Sequence, residues 1–203
     1  MQVITKLCTD HLRIFVENYG VKLKASHAHE LVAAFFGYKS RAAMLADTLY
    51  PITNLPRANI IVLTPTAPID QRRKTLQDLP LDLPDTYSLG EVIYTVLIAE
   101  KLLVNTPWST YEQLATFLAD EYLRQNQMDK VYRAPLREGV KVENVHDGIH
   151  LTVLRQYQVL TINMLLQASI PLVNISTTIQ LKRIAGYIGY AKPEISFKMQ
   201  PFK

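Results

Sequence analysis

The stretch Leu23-Lys-Ala-Ser-His-Ala-His-Glu-Leu-Val-Ala-Ala-Phe-Phe-Gly-Tyr-Lys-Ser-Arg-Ala-Ala-Met-Leu-Ala-Asp47 sets the reading of everything around it. Ser26 is placed to cap a helix over His27 to Phe36. Gly37 is placed to stop that helix in a left-handed conformation, and Ser40 to cap a second short helix over Arg41 to Asp47. Leu31, Val32, Ala34 and Phe35 give the first helix an apolar side, and Met44 and Leu45 do so for the second. Lys22, Lys24, Lys39 and Arg41 surround the turn with positive charge. The spacing predicts a helix, a tight turn and a helix, with Lys39, Arg41 and the free N–H groups of the second helix facing one anion, for which phosphate is the natural candidate.

Within this stretch Leu23, Ser26, His27, Glu30, Leu31, Ala33, Gly37, Tyr38 and Ser40 form the pattern L-x-x-S-H-x-x-E-L-x-A-x-x-G-Y-x-S. It resembles the small helical motif of the glyoxalase-superfamily-associated domain, which also occurs in plasmid and mobile-element proteins. Ala42 and Ala43 stand where that family has a bulky aromatic after the second cap. The resemblance implies a mobile-element setting and brings no enzyme chemistry with it.

Upstream, Ile4, Leu7, Cys8, His11, Leu12, Phe15, Val16 and Tyr19 recur at steps of three and four, which predicts a helix stopped by Gly20. Residues 1–50 therefore read as a small three-helix unit resembling a helix-turn-helix. Residues 51–86 read as a connector holding a short strand over Asn59 to Thr64 and a basic helix over Ile69 to Asp78. Pro80 and Pro84 interrupt regular structure after that helix.

Residues 87–203 read as a helix pair, a β-hairpin and a terminal helix. Ser88-Leu-Gly-Glu91 and Ser109-Thr-Tyr-Glu112 have the spacing of capping boxes. Beyond Gln127 the apolar period changes to two, which predicts strands over 130–133, 140–145 and 149–159 with a turn at His146-Asp-Gly148. Residues 163–175 suit either a strand or a buried helix. Thr177 to Tyr190 reads as a helix, and its end, Ile184-Ala-Gly-Tyr-Ile-Gly-Tyr190, falls on Val32-Ala-Ala-Phe-Phe-Gly-Tyr38. That match is either a degenerate repeat or two unrelated helix ends. The fold class expected is α+β, a helical N-terminal unit followed by a hairpin-rich half in a winged-helix-like order.

The chain has 203 residues, 48% of them hydrophobic and 20% charged, which is enough to build a core without cross-links. Polar residues interrupt every apolar run well short of the roughly 18 residues a membrane span needs. No secretory leader is recognisable at the start, so a cytoplasmic location is expected. Cys8 has no second cysteine to pair with. Seven glycines leave little room for a phosphate-cradling loop, so no cofactor is expected.

His27 and His29 lie about 200° apart around a helix and cannot share one ion, and His146 and His150 flank a turn, so no metal site is expected. No catalytic set is apparent, and the reading leans away from an enzyme. The net charge of +4 is spread over basic groups. Lys24, Lys39, Arg41, Arg72, Arg73, Lys74, Arg133 and Arg137 are the residues expected to touch phosphates if the chain binds DNA as a plasmid or mobile-element accessory protein. The alternative is a protein-interaction subunit or inhibitor in a secretion, defence or anti-defence assembly.

Overall fold

A computed structural model of the chain describes residues 2–64, 66–126, 150–155, 159–169 and 172–201. Helices and antiparallel strands combine in an α+β arrangement that divides into two compact units. The first comprises Met1–Ser109 and Arg183–Ala191, the second Thr110–Lys182 and Lys192–Lys203. No helix among the described residues is long and apolar enough to cross a membrane.

In the first unit α1 (Gln2–Glu17), α2 (Ala25–Phe35), α3 (Arg41–Ala46), α4 (Thr66–Thr75) and α5 (Thr86–Ala99) enclose the core. Cys8, Leu12 and Val16 recur every fourth residue on α1, which places them on the face buried against α2 and α5. Leu31 and Phe35 on α2, Phe36 beyond it, and Ile93 and Leu97 on α5 complete that interior. Each such side chain contributes roughly 1.5–3 kcal/mol on burial.

Gly37 has φ +83°, with its N–H bonded to Ala34 O at 2.8 Å and that of Tyr38 to Ala33 O at 3.0 Å. This double bond pattern satisfies the last carbonyls of α2 and turns the chain toward α3. Ser40 caps α3 as its position predicts, accepting from Ala43 N at 3.1 Å. Ser26 does not cap α2, because the helix already begins at Ala25, with Lys24 at its N-cap and no side-chain bond there.

α5 likewise starts ahead of the expected box. Asp85 is the N-cap and accepts from Ser88 N at 2.9 Å. Two strand pieces from far along the chain join this unit. β1 (Ile60–Ile61) pairs with β5 (Gly189–Tyr190), which in turn pairs with the end of β4 (Leu172–Ala185). Val62 bridges Trp108 in parallel on the next register.

The second unit contains α6 (Tyr111–Asn126) and an antiparallel sheet in the order β2 (His150–Arg155), β3 (Val159–Ser169), β4 and β6 (Glu194–Pro201). α6 is capped one residue later than expected, Thr110 Oγ1 accepting from Gln113 N at 3.1 Å. Residues 163–169 and 172–175 are strand, since Val159 to Ser169 pair in register with Lys182 to Leu172.

The terminal helix expected over Thr177 to Tyr190 is instead the end of β4, a turn and β5. Its β-branched run, Val173, Ile175, Thr177, Thr178 and Ile179, favours an extended chain. Ile179, Leu181, Arg183 and Ala185 are buried while Gln180 and Lys182 are exposed, the period of a strand. The turn expected at His146 to Gly148 and the strands expected at 130–133 and 140–145 lie outside the described residues.

Candidate functional site

The anion at the start of α3 is the protein's own. Glu30 Oε2 accepts the Arg41 backbone N–H at 3.0 Å and the Arg72 guanidinium at 2.7 Å. Ser40 takes the Ala43 N–H, so donors expected to face a phosphate already have partners inside the chain. Glu30 thereby ties α2, α3 and α4 together through one carboxylate.

Arg73 is engaged in the same way. Its Nη1 donates to Pro84 O at 2.8 Å and Thr86 Oγ1 at 3.1 Å, and its Nη2 to Leu83 O at 3.2 Å. The Thr86 hydroxyl in turn donates a hydrogen bond to Asp70 Oδ1. Arg73 thus holds the proline-broken segment onto α4 and the start of α5. Lys24 reaches Asp78 at 3.7 Å with both side chains largely exposed, a pairing of little energetic weight. Lys39, Arg41 and Lys74 are exposed. Arg133 and Arg137 lie outside the described residues.

A basic residue absent from that set is the most deeply placed. Arg183, only 6% exposed, donates to Asp47 and to Gly186 O, and its Nη2 lies 3.3 Å from Tyr38 Oη. Its guanidinium carbon sits 3.7 Å from the Tyr187 ring centroid and 4.6 Å from that of Tyr50. Tyr38 O–H donates to Asp47 at 2.9 Å, and burial pushes the Tyr38 pKa up against the opposing pull of Arg183. With Arg183, Tyr38 and Asp47 bonded to one another, this cluster acts as a lock between distant segments. The cue available in sequence was Arg183 standing at an inward position of an alternating run.

Two histidines of the motif take different roles. His27 is buried and its Nδ1 has no hydrogen-bond partner among the described residues. His29 is half-buried and its Nδ1 lies 3.0 Å from Thr9 Oγ1. No group of three or more His, Cys, Asp or Glu side chains among the described residues is arranged to hold a metal ion. Burial pushes the Cys8 thiol up to about 12, so it stays protonated and unreactive near neutrality.

On the outer side of the α1–α5 pair runs a shallow groove of about 470 Å³. His11, Ile14, Phe15 and Asn18 on and beside α1 follow a helical stripe, as do Tyr87, Glu91, Val92 and Thr95 on α5. Ile14, Tyr19 and Tyr87 are 58%, 61% and 64% exposed, large side chains left at the surface in the lining of this groove. Phe15 steadies Tyr19, their rings 5.1 Å apart. Glu91 is the carboxylate of the lining, and Glu17 is exposed on the same helix as Ile14.

Comparison of the chain with family models, with curated proteins and with solved structures gives no match in any of the three.

Proposed function

We propose that this chain is a protein-interaction subunit whose α1–α5 groove receives an amphipathic helix of a partner protein. The observation that carries the reading is the exposure of Ile14, Tyr19 and Tyr87 in the lining of one groove. Apolar and aromatic anchors set in a concave strip are what helix-in-groove recognition uses, and such anchors supply most of the binding energy. Glu91, exposed in the lining, calls for a Lys or Arg on the incoming helix beside its apolar anchors. The resemblance of residues 23–47 to a mobile-element motif points to a plasmid or mobile-element setting. A reading centred on nucleic acid keeps Lys39, Arg41 and Lys74 as exposed cations, but Arg72 and Arg73 already have internal acceptors. The groove therefore has the stronger claim.

Selection from a displayed library of helical peptides against the immobilised protein tests this. Enriched peptides should carry an apolar stripe with one basic residue inside it. Ile14→Asp and Tyr87→Asp should each weaken them at least about tenfold, the equivalent of roughly 1.4 kcal/mol. Melting should be unchanged, since both side chains are mostly exposed. Binding indifferent to both substitutions would rule the groove out.

A further inference from the structure

The proline-broken segment between α4 and α5 turns its leucines in opposite directions. Leu79 packs against the core and Leu83 is buried, whereas Leu81 between them is 99% exposed, with Asp82 exposed beside it in the same turn. A lone leucine at a surface needs no explanation, but this one is held in place. Pro80 and Pro84 restrict the backbone, and Arg73 donates to Leu83 O, Pro84 O and Thr86 Oγ1. An anchor fixed before contact loses little freedom on docking. Of the acids in this loop, Asp78 already meets Lys24 and Asp85 caps α5, which leaves Asp82 without a partner among the described residues.

The converse surface lies on α3. Met44 alone of its six residues is buried, so Ala42, Ala43, Leu45 and Ala46 are exposed, as is Leu49 just beyond, at 65%. The alanines end at Cβ and let another chain come close to the helix, and the two leucines add apolar surface. Lys39 and Arg41, at the start of α3, have exposed side chains with no partner among the described residues. Loop and α3 belong to opposite ends of α2: Asp78 meets Lys24 at its start, and Gly37 leads from its end into α3. That helix has 11 residues and is about 16 Å long. Within one molecule the exposed Leu81 therefore leaves α3 uncovered.

We propose that a second copy of this chain covers both surfaces, the loop of each copy setting Leu81 on the exposed alanines of the other's α3 and bringing Asp82 to the other's Lys39 and Arg41. One surface is a leucine with a carboxylate, the other an apolar seat with two cations, so the pair is complementary in charge as well as in polarity. The contact is reciprocal, and a two-fold axis makes it twice in one dimer. It uses no residue of the α1–α5 groove and stands apart from the interaction reading.

Sedimentation velocity of the full chain over a concentration series tests this. A monomer–dimer equilibrium is expected, weaker at high salt because the paired charges are exposed. Leu81→Asp should weaken dimerisation at least about tenfold, as loss of a central apolar anchor does, with melting unchanged. Charge reversal tests the pairing. Asp82→Lys sets a basic loop against a basic seat, and Lys39→Glu with Arg41→Glu sets an acidic loop against an acidic seat. Each of these variants alone should be monomeric, and their equimolar mixture should dimerise, since every loop then meets a seat of opposite sign. Ile14→Asp, in the groove, should leave dimerisation unchanged. The proposal is overturned if the wild-type chain stays monomeric up to about 1 mM. It is equally overturned if dimerisation survives Leu81→Asp, if it is lost with Ile14→Asp, or if the mixed charge variants fail to recover it.

Discussion

Val32-Ala-Ala-Phe-Phe-Gly-Tyr38 and Ile184-Ala-Gly-Tyr-Ile-Gly-Tyr190 read alike, yet the first closes a helix and the second turns a strand back on itself. Both turns use a glycine at positive φ, +83° at Gly37 and +51° at Gly186. What differs is the chain that arrives. Ala28 to Ala33 approach Gly37 with good helix formers at a helical period, whereas Val173 to Ile179 approach Gly186 with β-branched residues. Gly189, the residue that falls on Gly37, lies in β5 without a positive φ, so a shared Gly-Tyr pair fixes neither the turn nor the element before it.

The likeness has a second source. The two stretches pack on each other: Tyr187 N donates to Phe36 O at 3.1 Å, and the Tyr38 and Tyr187 rings lie 5.1 Å apart, edge to face. Gly186 passes close to Phe36 O, at 3.5 Å from where a Cβ would stand. Small residues and tyrosines recur because two halves of one joint need close backbone approach and polar-tipped rings. Arg183 and Asp47, each near one half, close the joint.

Breaking that closure carries the largest expected cost. Asp47→Ala leaves the Arg183 guanidinium buried without its carboxylate, and loss of one partner of such a pair costs roughly 3–5 kcal/mol. Chemical denaturation should show that loss, and the double variant Asp47→Ala with Arg183→Met should recover much of it. A double variant as unstable as the single would mean that the tyrosine rings around Arg183, and not its charge pairing, hold the two stretches together.

Next in size is a pair of glycines that share a conformation and differ in surroundings. A Cβ on Gly37 would stand 2.7 Å from Tyr187 Cβ, whereas at Gly20, with φ +75°, it would meet nothing within 4 Å. Gly20→Ala should therefore cost about 1 kcal/mol from backbone strain alone. Gly37→Ala should add the overpacking of Tyr187, for about 3 kcal/mol in all. The gap between the two melting temperatures measures the joint. Equal losses would reduce Gly37 to a turn residue.

Much of the first unit was legible because local chemistry and tertiary role agree there. Gly20, Gly37 and Ser40 do what their positions dictate, and Leu12, Val16, Leu31 and Phe35 fall on the faces their spacing predicts. Caps were legible only to within a few residues: Asp85 and Thr110 act where Ser88 and Ser109 were expected, because any short oxygen-bearing side chain in the segment can accept the same N–H groups.

The strand over Thr177 to Ala185 is hidden in the sequence for a specific reason. Arg183 places a cation in the inward register, which breaks the apolar alternation that would have announced a strand. The candidate sites were less legible still. Charge density in sequence singled out Arg72 and Arg73, but a carboxylate 42 positions earlier claims the first and backbone carbonyls claim the second. Pairings between distant segments decide which cations are free, and spacing does not encode them.

The smallest expected effect extends the comparison of stops to a third helix. α5 ends as α2 does, with the Leu102 N–H bonded to Leu97 O at 2.9 Å and that of Lys101 to Ile98 O at 2.9 Å. The left-handed position is filled by Lys101, φ +56°, where the other two helices have glycine. A residue with a Cβ sits there at a cost of roughly 1 kcal/mol relative to glycine. Lys101→Gly relieves that strain but also loosens the unfolded chain, which gives back part of the gain. The net expectation is a stabilisation of about 0.5 kcal/mol, a rise of one to three degrees or about that in melting temperature. The side chain is exposed and makes no described contact, so its removal should not blur the result. A loss of stability would show that the stop of α5 depends on the lysine itself, and that a bond pattern shared with α2 does not mean a shared source of strain.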